Sequence, residues 1–409
     1  MKDRLAVWSP ETNPGTGKKF KAMLSYFQVA HNGNADIDRY IDSEYGEEIA
    51  RRLQLQFKYE EDPFGEECLS YYRSKNLKKY LFQNGDYYTR WVMLAPLEID
   101  EPSNTKKYPV IFVHHGGGNS IEYDEFLPGY QDIAGIEKFI VVYLQNTNWE
   151  NVSDKIEYLK EHFPVDQERI YLVGYSQGGY EVTSAYFRIP EKLAGAAPCG
   201  NDIYREWDNF NVPYLDYEVE RLKKTFVPFM QIVGACEASG FAPVNDWHPR
   251  KDWGTEGEPK PYIDPRTDDG RDPTRVHGGK RRFSNMPEPP ENQDKHEWMI
   301  SRLNKRMDTL GCARRDADIC IGYLHKEQDE LHHAVGFYGD KEETQIHYGY
   351  KHYVVDIKNQ EGMDAFRYVV VENSPHAWPL MTAYMTWDFF RNFRRDTATG
   401  KIVVDRYQA

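Results

Sequence analysis

The residues around Ser176 have the types and the spacing that nucleophilic catalysis requires. Residues 170–173 form an apolar run of β-forming residues, after which the chain reads G-Y-S-Q-G and continues into a segment with helical character. Glycines two positions before and after a serine leave room for a sharp strand-to-helix turn that lifts the hydroxyl above a sheet. The five-residue pattern alone is loose, but the strand before it and the helix predicted for residues 180–188 favour a functional turn. We therefore predict that Ser176 is a nucleophile.

A glycine-rich loop follows an earlier apolar strand, predicted for residues 108–113. The loop reads H-H-G-G-G over residues 114–118. Successive glycines allow backbone N–H groups to point at a negatively charged oxygen without interference from side chains. The loop resembles the H-G-G-G oxyanion loop of esterases and lipases. We predict that the N–H groups of Gly117 and Gln177 form an oxyanion hole.

The base expected to serve the serine is His376. It lies in a loop after a strand predicted for residues 367–372, near the C-terminus. A histidine after a late strand can accept the proton of a nucleophilic serine and later return it to the leaving group. The sequence contains 13 histidines, and His376 is selected by its position among them.

The acidic member of a catalytic triad has several candidates between the serine and the histidine. The chain order serine, acid, histidine places the acid after a strand in that interval. Glu237 closely follows the apolar run at residues 226–233 and could hold the imidazole in the required tautomer. A surface glutamate is an equally good interpretation of Glu237. Asp202 and Asp246 are the alternatives.

Together these motifs resemble the α/β-hydrolase superfamily and, within it, the group of poly(3-hydroxybutyrate) depolymerases and feruloyl esterases. The resemblance is carried by the glycine loop, the serine turn and the segments at residues 85–96, 165–169 and 375–379. It implies a carboxylic-ester hydrolase that works through an acyl-enzyme. The group usually has aspartate where this chain has Glu237, so the acid position departs from the pattern. One fold hosts many activities, and the resemblance therefore does not fix the substrate.

Composition excludes several functional classes. The 409 residues are 40% hydrophobic and carry a formal net charge of −14, which suits a large enzyme and argues against nucleic acid as a partner. No apolar run reaches the roughly 18 residues of a membrane helix, and the first residues lack the apolar centre of a signal peptide. We therefore expect no membrane association and a cytoplasmic location. Five cysteines, an odd number, fit a reducing compartment better than a disulfide framework.

Histidines and acidic residues are frequent in one later stretch, but their spacing matches no metal motif. The stretch contains His325, Glu330, His332, His333 and His347. Neither H-E-x-x-H nor a pair of C-x-x-C motifs occurs there. We interpret these residues as solvent-facing side chains, and we expect no bound metal and no organic cofactor.

The predicted elements divide the chain into four parts. Residues 1–79 form an N-terminal extension with helical spacing, and residues 80–237 and 348–409 form the two parts of a hydrolase core. Strands and helices alternate in the core, which favours an α/β fold with a mostly parallel sheet and helices on both faces. Residues 238–347 form an insertion rich in proline, glycine and charge. It could be a lid or substrate wall, and a solvated elaboration or an oligomer contact is an equal alternative.

The sequence thus predicts a serine carboxylic-ester hydrolase whose partner is a small or oligomeric ester, with a homo-oligomer left open. Two other classes remain. A serine peptidase of the prolyl-oligopeptidase type shares the serine turn and the triad order, but its N-terminal propeller needs several hundred residues where residues 1–79 precede the core. A catalytically silent hydrolase fold used for binding would be favoured if no acid candidate lay near the histidine.

Overall fold

The computed structural model describes most of the core and part of the segments around it. The described residues are 39–40, 42–85, 87–117, 121–201, 215–235, 295–315, 329–374 and 376–409. The predicted nucleophile, base and oxyanion donors lie within these ranges, whereas the acid candidates lie outside them. Those candidates are Glu237, Asp202 and Asp246.

A sheet of ten strands, counted within the described residues, forms the centre of the molecule. In chain order the strands are β1 (Leu77–Phe82), β2 (Trp91–Pro96), β3 (Tyr108–His114), β4 (Ile140–Leu144), β5 (Val165–Tyr175), β6 (Gly195–Cys199), β7 (Phe229–Gly234), β8 (Lys341–His347), β9 (Tyr350–Lys358) and β10 (Asp364–Val371). Across the sheet their order is β1-β2-β4-β3-β5-β6-β7-β10-β9-β8. The strands from β4 to β10 in this order are parallel, and antiparallel strands flank them on both sides. The predicted α/β fold with a mostly parallel sheet is therefore confirmed.

The central strands are apolar without alternation because both of their faces are covered. Every residue of β3 and β4 is buried. The core accordingly divides into two hydrophobic clusters, one on each face of the sheet. Phe112 and Leu172 belong to one cluster, and Val113 and Val173 belong to the other.

Helices cover both faces of this sheet. They are α1 (Glu44–Tyr59), α2 (Glu66–Ser74), α3 (Ile121–Phe126), α4 (Tyr130–Glu137), α5 (Trp149–His162), α6 (Gln177–Arg188), α7 (Asp216–Thr225), α8 (Lys295–Leu310), α9 (Glu330–Val335) and α10 (Thr382–Phe390). Apolar residues of α5 to α9 pack on the face of Phe112, and those of α1 to α4 and α10 pack on the opposite face. A hairpin of β11 (Phe393–Arg395) and β12 (Ile402–Val404) follows. No helix in the described ranges is long and apolar enough to span a membrane.

The N-terminal extension is helical where the structure describes it, and it packs against the core. Ser43 caps α1, because its hydroxyl accepts a hydrogen bond from the N–H of Gly46. Ile49 and Leu53 are buried in the same cluster as the strand residues on that face. The extension continues into the sheet, since β1 spans the boundary that the sequence pattern places between residues 79 and 80.

The described part of the predicted insertion also packs on the core. Leu303 and Met307 of α8 are buried in the cluster on the face of α6. β8 pairs with β9 along its whole length, so residues 341–347 form an edge of the main sheet. The sequence carried no strand signal there, because β8 is mostly polar and none of its residues is fully buried.

Candidate active site

Ser176 lies between the last residue of β5 and the first residue of α6, in a strained backbone conformation. Its φ of +54° and ψ of −116° fall in a region that residues with a side chain rarely adopt. Two hydrogen bonds fix the turn: the Ser176 N–H donates to the carbonyl of Cys199 at 2.9 Å, and the Ser176 carbonyl accepts from Gly179 at 3.0 Å. This strand, turn and helix have the geometry of a nucleophile elbow, at the edge of the sheet where the parallel strands end.

Close backbone packing explains the glycine that follows the serine by two positions. A Cβ on Gly178 would lie 2.3 Å from the carbonyl oxygen of His114 and 2.5 Å from that of His115. Both contacts are with backbone atoms, which cannot move aside as the end of a flexible side chain can. The elbow therefore packs directly against the end of β3, where the glycine loop begins.

His376 faces Ser176 across a hydrogen bond. The distance between His376 Nε2 and Ser176 Oγ is 2.9 Å. The histidine is buried, and its ring stacks on Tyr175 with the ring centroids 4.8 Å apart. Gly200, with a φ of +62°, lies beside the ring, where a Cβ would be 3.1 Å from His376 Cε1. The structure thus brings the predicted nucleophile and the predicted base within reach for proton transfer.

A buried tryptophan and a buried aspartate support the segment that carries the histidine. Trp378 Nε1 donates to Asp124 Oδ1 at 2.8 Å, and the Trp378 ring centroid lies 5.1 Å from that of Tyr175. Burial raises the pKa of Asp124 well above its ordinary value. The sequence patterns did not indicate Asp124, because no motif distinguishes it from the acidic residues around it.

Asn201 hydrogen-bonds to the backbone carbonyl of Ser176. The side-chain Nδ2 of Asn201 donates to the Ser176 carbonyl at 2.9 Å. The backbone carbonyl of Asn201 accepts a hydrogen bond from Gln231 Nε2 at 2.6 Å. Asn201 follows β6 and Gln231 lies within β7, so the next two strands of the sheet after β5 are connected to the elbow. Buried polar side chains are normally hydrogen-bonded, so a glutamine inside the apolar run F-M-Q-I-V-G was the sequence signal for this network.

The glycine loop lies against Gln177. A Cβ on Gly117 would be 2.9 Å from Gln177 Oε1, so the two residues predicted to supply oxyanion donors are neighbours. His115 fixes the start of the loop, because its Nδ1 lies 2.8 Å from the Gly116 carbonyl oxygen and its Nε2 lies 3.3 Å from Gln145 Nε2. Two hydrogen-bonding positions on one ring therefore connect the glycine loop to the end of β4.

His114, which directly precedes His115, is fully buried. Neither of its ring nitrogens has a hydrogen-bond partner in the described part of the chain. Burial, with a smaller contribution from the charge of His115, lowers the pKa of His114 to about 3. The His114 ring is therefore neutral at ordinary pH.

Glu237 follows β7 along the chain, and the end of this strand lies within the described residues. Gly234, the last residue of β7, pairs with Val371 at the end of β10. The N–H of Ala235 continues this pairing and donates to the Val371 carbonyl at 2.8 Å. The chain therefore leaves β7 toward Glu237 beside the point where it leaves β10 toward His376.

The histidines of the later stretch make separate contacts. His332 lies between two carboxylates, with its Nδ1 2.7 Å from Asp329 Oδ2 and its Nε2 2.9 Å from Glu342 Oε2. His347 instead contacts Gln345. Among the residues that the structure describes, no group of three or more His, Cys, Asp or Glu side chains is arranged to hold a metal ion.

Comparison with known proteins gives one short sequence match. No protein-family model matches the chain. The bifunctional acetylxylan esterase/xylanase XynS20E from Neocallimastix patriciarum is 29% identical over 118 residues, which cover 25% of this chain and 17% of that protein. The match therefore spans less than a fifth of the curated relative.

Several solved structures are similar to part of the chain. A feruloyl esterase module from Clostridium thermocellum, complexed with sinapinate, is 14% identical with a TM-score of 0.32, over 40% of this chain and 70% of that one. An S-formylglutathione hydrolase from Agrobacterium tumefaciens is 12% identical with a TM-score of 0.32, over 39% and 76%. An acylaminoacyl peptidase from Pyrococcus horikoshii is 15% identical with a TM-score of 0.28, over 39% and 32%. The strand order and pairings of this chain define an α/β fold with a mostly parallel sheet.

Proposed function

We propose that this protein is a serine carboxylic-ester hydrolase. The observation that carries the proposal is the 2.9 Å distance between His376 Nε2 and Ser176 Oγ, at a turn where Ser176 has a positive φ. A serine hydroxyl is a weak nucleophile unless an adjacent base accepts its proton, and a buried histidine is within reach here. In the proposal, the neighbouring glycine loop provides backbone N–H groups for the negatively charged oxygen of the tetrahedral intermediate.

In the proposed reaction, His376 Nε2 accepts the Ser176 proton as Oγ attacks the ester carbonyl carbon. The N–H groups of Gln177 and Gly117 stabilise the negative charge that develops on the carbonyl oxygen. Collapse of the tetrahedral intermediate breaks the bond to the alcohol oxygen, and the imidazolium donates its proton to the leaving alcohol. A water molecule, deprotonated by the same histidine, then attacks the acyl-enzyme and releases the acid and the free serine.

Glu237 is our first choice for the carboxylate that orients His376. It follows β7, which pairs in parallel with β10, the strand that precedes the histidine. Asp202 follows β6, which is one strand further from β10. Asp246 lies further along the chain from the end of β7 than Glu237 does. Strand order therefore supports Glu237, with Asp202 and Asp246 as alternatives.

Ester-linked acyl groups on carbohydrates are the first substrates to test. The short match to an acetylxylan esterase/xylanase supports this choice. The resemblance of the motifs to feruloyl esterases and poly(3-hydroxybutyrate) depolymerases adds feruloyl esters and short polyester oligomers. All of these present an ester carbonyl to the same catalytic groups, and they differ in the pocket that the acyl and alcohol parts require.

The test is an activity screen that compares the wild-type protein with Ser176→Ala. The substrates are p-nitrophenyl esters of graded chain length, acetylated xylan oligosaccharides, feruloyl esters and chromogenic peptides. We expect the wild type to hydrolyse esters and a fluorophosphonate probe to label Ser176. The alanine variant should lose roughly 10⁴-fold or more in kcat, because the attacking oxygen is removed.

Ser184→Ala provides a matched control. Ser184 is a buried serine on α6, and its Oγ accepts a hydrogen bond from Arg188 Nη1 at 2.6 Å. This variant should keep wild-type turnover and labelling. Unchanged turnover in Ser176→Ala would overturn the assignment of the nucleophile. Turnover of peptides alone would favour a peptidase, and a folded protein with neither turnover nor labelling would favour a binding protein.

A further inference from the structure

We propose that helix α1 of the N-terminal extension positions the catalytic histidine, acting through Tyr45 and Arg52. The proposal rests on the proposed role of His376 as the base. The histidine lies in an irregular segment between the end of β10 and the start of α10, described for residues 372–374 and 376–381. An irregular segment has no continuous ladder of backbone hydrogen bonds, so contacts from elsewhere in the molecule must fix it.

Tyr45 binds this segment through a backbone group. The N–H of Leu380 donates to the Tyr45 hydroxyl oxygen at 2.8 Å, and the tyrosine is fully buried. Burial raises the pKa of Tyr45, so the hydroxyl stays protonated and neutral. A buried N–H without an acceptor is costly, and Tyr45 therefore fixes the position of Leu380, four residues after His376.

Arg52 binds the other backbone group of the same residue. Its Nη1 donates to the Leu380 carbonyl at 3.1 Å and to the Leu127 carbonyl at 2.6 Å. Its Nε donates to Glu48 at 2.7 Å, and the arginine side chain is 1% exposed. A buried guanidinium needs such partners, because an unpaired charge in the interior is strongly unfavourable. The N–H and the C=O of Leu380 are thus both bound by side chains of α1.

The other end of the segment is connected to the same region. The Tyr45 ring lies 4.8 Å from the ring of Tyr350. The Tyr350 hydroxyl accepts from Asn373 Nδ2 at 3.1 Å, and Asn373 has a φ of +49°. In addition, Arg39 Nη2 lies 2.8 Å from Glu372 Oε1. Contacts from the N-terminal extension therefore reach both flanks of His376.

These contacts bear on catalysis because proton transfer depends on the distance between His376 and Ser176. A displacement of about 1 Å in a reacting group can lower a rate roughly 100-fold. In the histidine segment, Tyr45 and Arg52 contact the backbone of Leu380, four residues after the histidine, and neither residue hydrogen-bonds to the serine elbow in the described structure. Tyr45 and Arg52 are therefore positioning residues, and their loss should lower kcat and leave substrate binding largely intact.

The experiment compares Tyr45→Phe with Tyr171→Phe. Tyr171 is also fully buried, and its hydroxyl donates to the Phe393 carbonyl at 2.6 Å, away from the histidine segment. Both variants lose one buried hydrogen bond to the backbone, so both should lose similar stability. With p-nitrophenyl acetate, we expect Tyr45→Phe to lower kcat about tenfold and to change KM less than about twofold. Tyr171→Phe should keep both constants.

Arg52→Lys is a second variant, in case Tyr45→Phe is too mild. The lysine ammonium cannot reproduce the guanidinium contacts with two carbonyls and Glu48 at once, so kcat should again fall with little change in KM. The proposal is overturned if Tyr45→Phe and Arg52→Lys lose stability in the same way as Tyr171→Phe and keep wild-type kcat and KM.

Amide hydrogen exchange tests the same contact without using activity. Peptides that cover residues 372–381 should exchange faster in Tyr45→Phe than in the wild type, and those in Tyr171→Phe should not. This readout stays decisive if the wild type hydrolyses no ester, an outcome that would refute the proposed function. Unchanged exchange of the segment in Tyr45→Phe would refute the positioning contact whatever the activity.

Discussion

The serine and the histidine of the candidate site are held in place by different means. Ser176 depends on backbone: a strained φ, hydrogen bonds to neighbouring strands, and glycines placed where a Cβ would meet carbonyl oxygens. His376 depends on side chains that come from α1 and α3 and bind the irregular segment around it. One half of the site is fixed by backbone packing between neighbouring strands, and the other is fixed by side chains of distant helices.

This difference predicts two kinds of sensitivity to mutation. The serine half should fail when atoms are added, because its backbone packing leaves no room for a Cβ. The histidine half should fail when polar atoms are removed, because its position depends on individual hydrogen bonds.

The largest effect in this comparison should come from removing the carboxylate that we propose orients His376. We expect Glu237→Gln to lower kcat by a factor on the order of 10³–10⁴, since an amide favours the wrong imidazole tautomer. Asp202→Asn and Asp246→Asn are the matched variants and should have much smaller effects. Steady-state kinetics on a p-nitrophenyl ester measures all three. Near wild-type turnover in Glu237→Gln, together with an inactive Asp variant, would transfer the role to that aspartate.

A smaller effect should come from adding one carbon atom to the serine half. In Gly178→Ala the new Cβ would meet the carbonyl oxygens of His114 and His115, so the elbow and the glycine loop must move apart. We expect kcat to fall roughly 100-fold, as the oxyanion donors and the serine lose their alignment. Thr183→Ala is the control, because it changes a buried residue of the same helix whose Oγ1 donates to the Gly179 carbonyl. Equal turnover in the two variants would contradict the backbone-packing argument.

The smallest effect concerns stability and arises beside the serine half, at His114. Its pKa is about 3 in the folded protein, against about 6.5 for an ordinary histidine. Between these values the unfolded chain binds a proton that the folded chain does not, so stability falls as the pH drops below about 6.5. The expected slope is at most about 1.4 kcal/mol per pH unit for this proton.

His114→Leu should remove that contribution. We expect its free energy of unfolding, measured with urea at pH 7 and pH 5, to fall less between the two values than that of the wild type. His162→Leu is the control, since it removes a histidine that is exposed in the folded protein. A pH dependence in His114→Leu that equals the wild type would show that His114 is accessible to protons in the folded state.

The sequence was informative where a local pattern determines the structure. The serine turn, the glycine loop and the apolar central strands follow from short runs of residues, and the structure places Ser176 and His376 in contact. The contacts of the histidine segment were not predictable in this way. Tyr45 and Leu380 are separated by 335 residues, and no periodicity or motif in either segment indicates the other.

The edge strands of the sheet were also not predictable from a local sequence pattern. β1 and β8 lie at the two edges: β1 crosses the predicted boundary between residues 79 and 80, and β8 lies within the segment predicted as an insertion. Edge strands bury one face at most, so their residues lack the continuous apolar run that identified β3 and β5. The division into an extension, a two-part core and an insertion stays a prediction.

The contact between α1 and Leu380 also has a consequence for the order of events during synthesis. Translation at roughly 5–20 residues per second separates the two partners, 335 residues apart, by roughly 15–70 s. During that interval Leu380 has not yet been synthesised, so the guanidinium of Arg52 and the hydroxyl of Tyr45 must hydrogen-bond to water instead. The parallel strands up to β7 can assemble in the same interval without the histidine segment. The contact can therefore form only after the histidine segment has been synthesised, against a helix that was made 335 residues earlier.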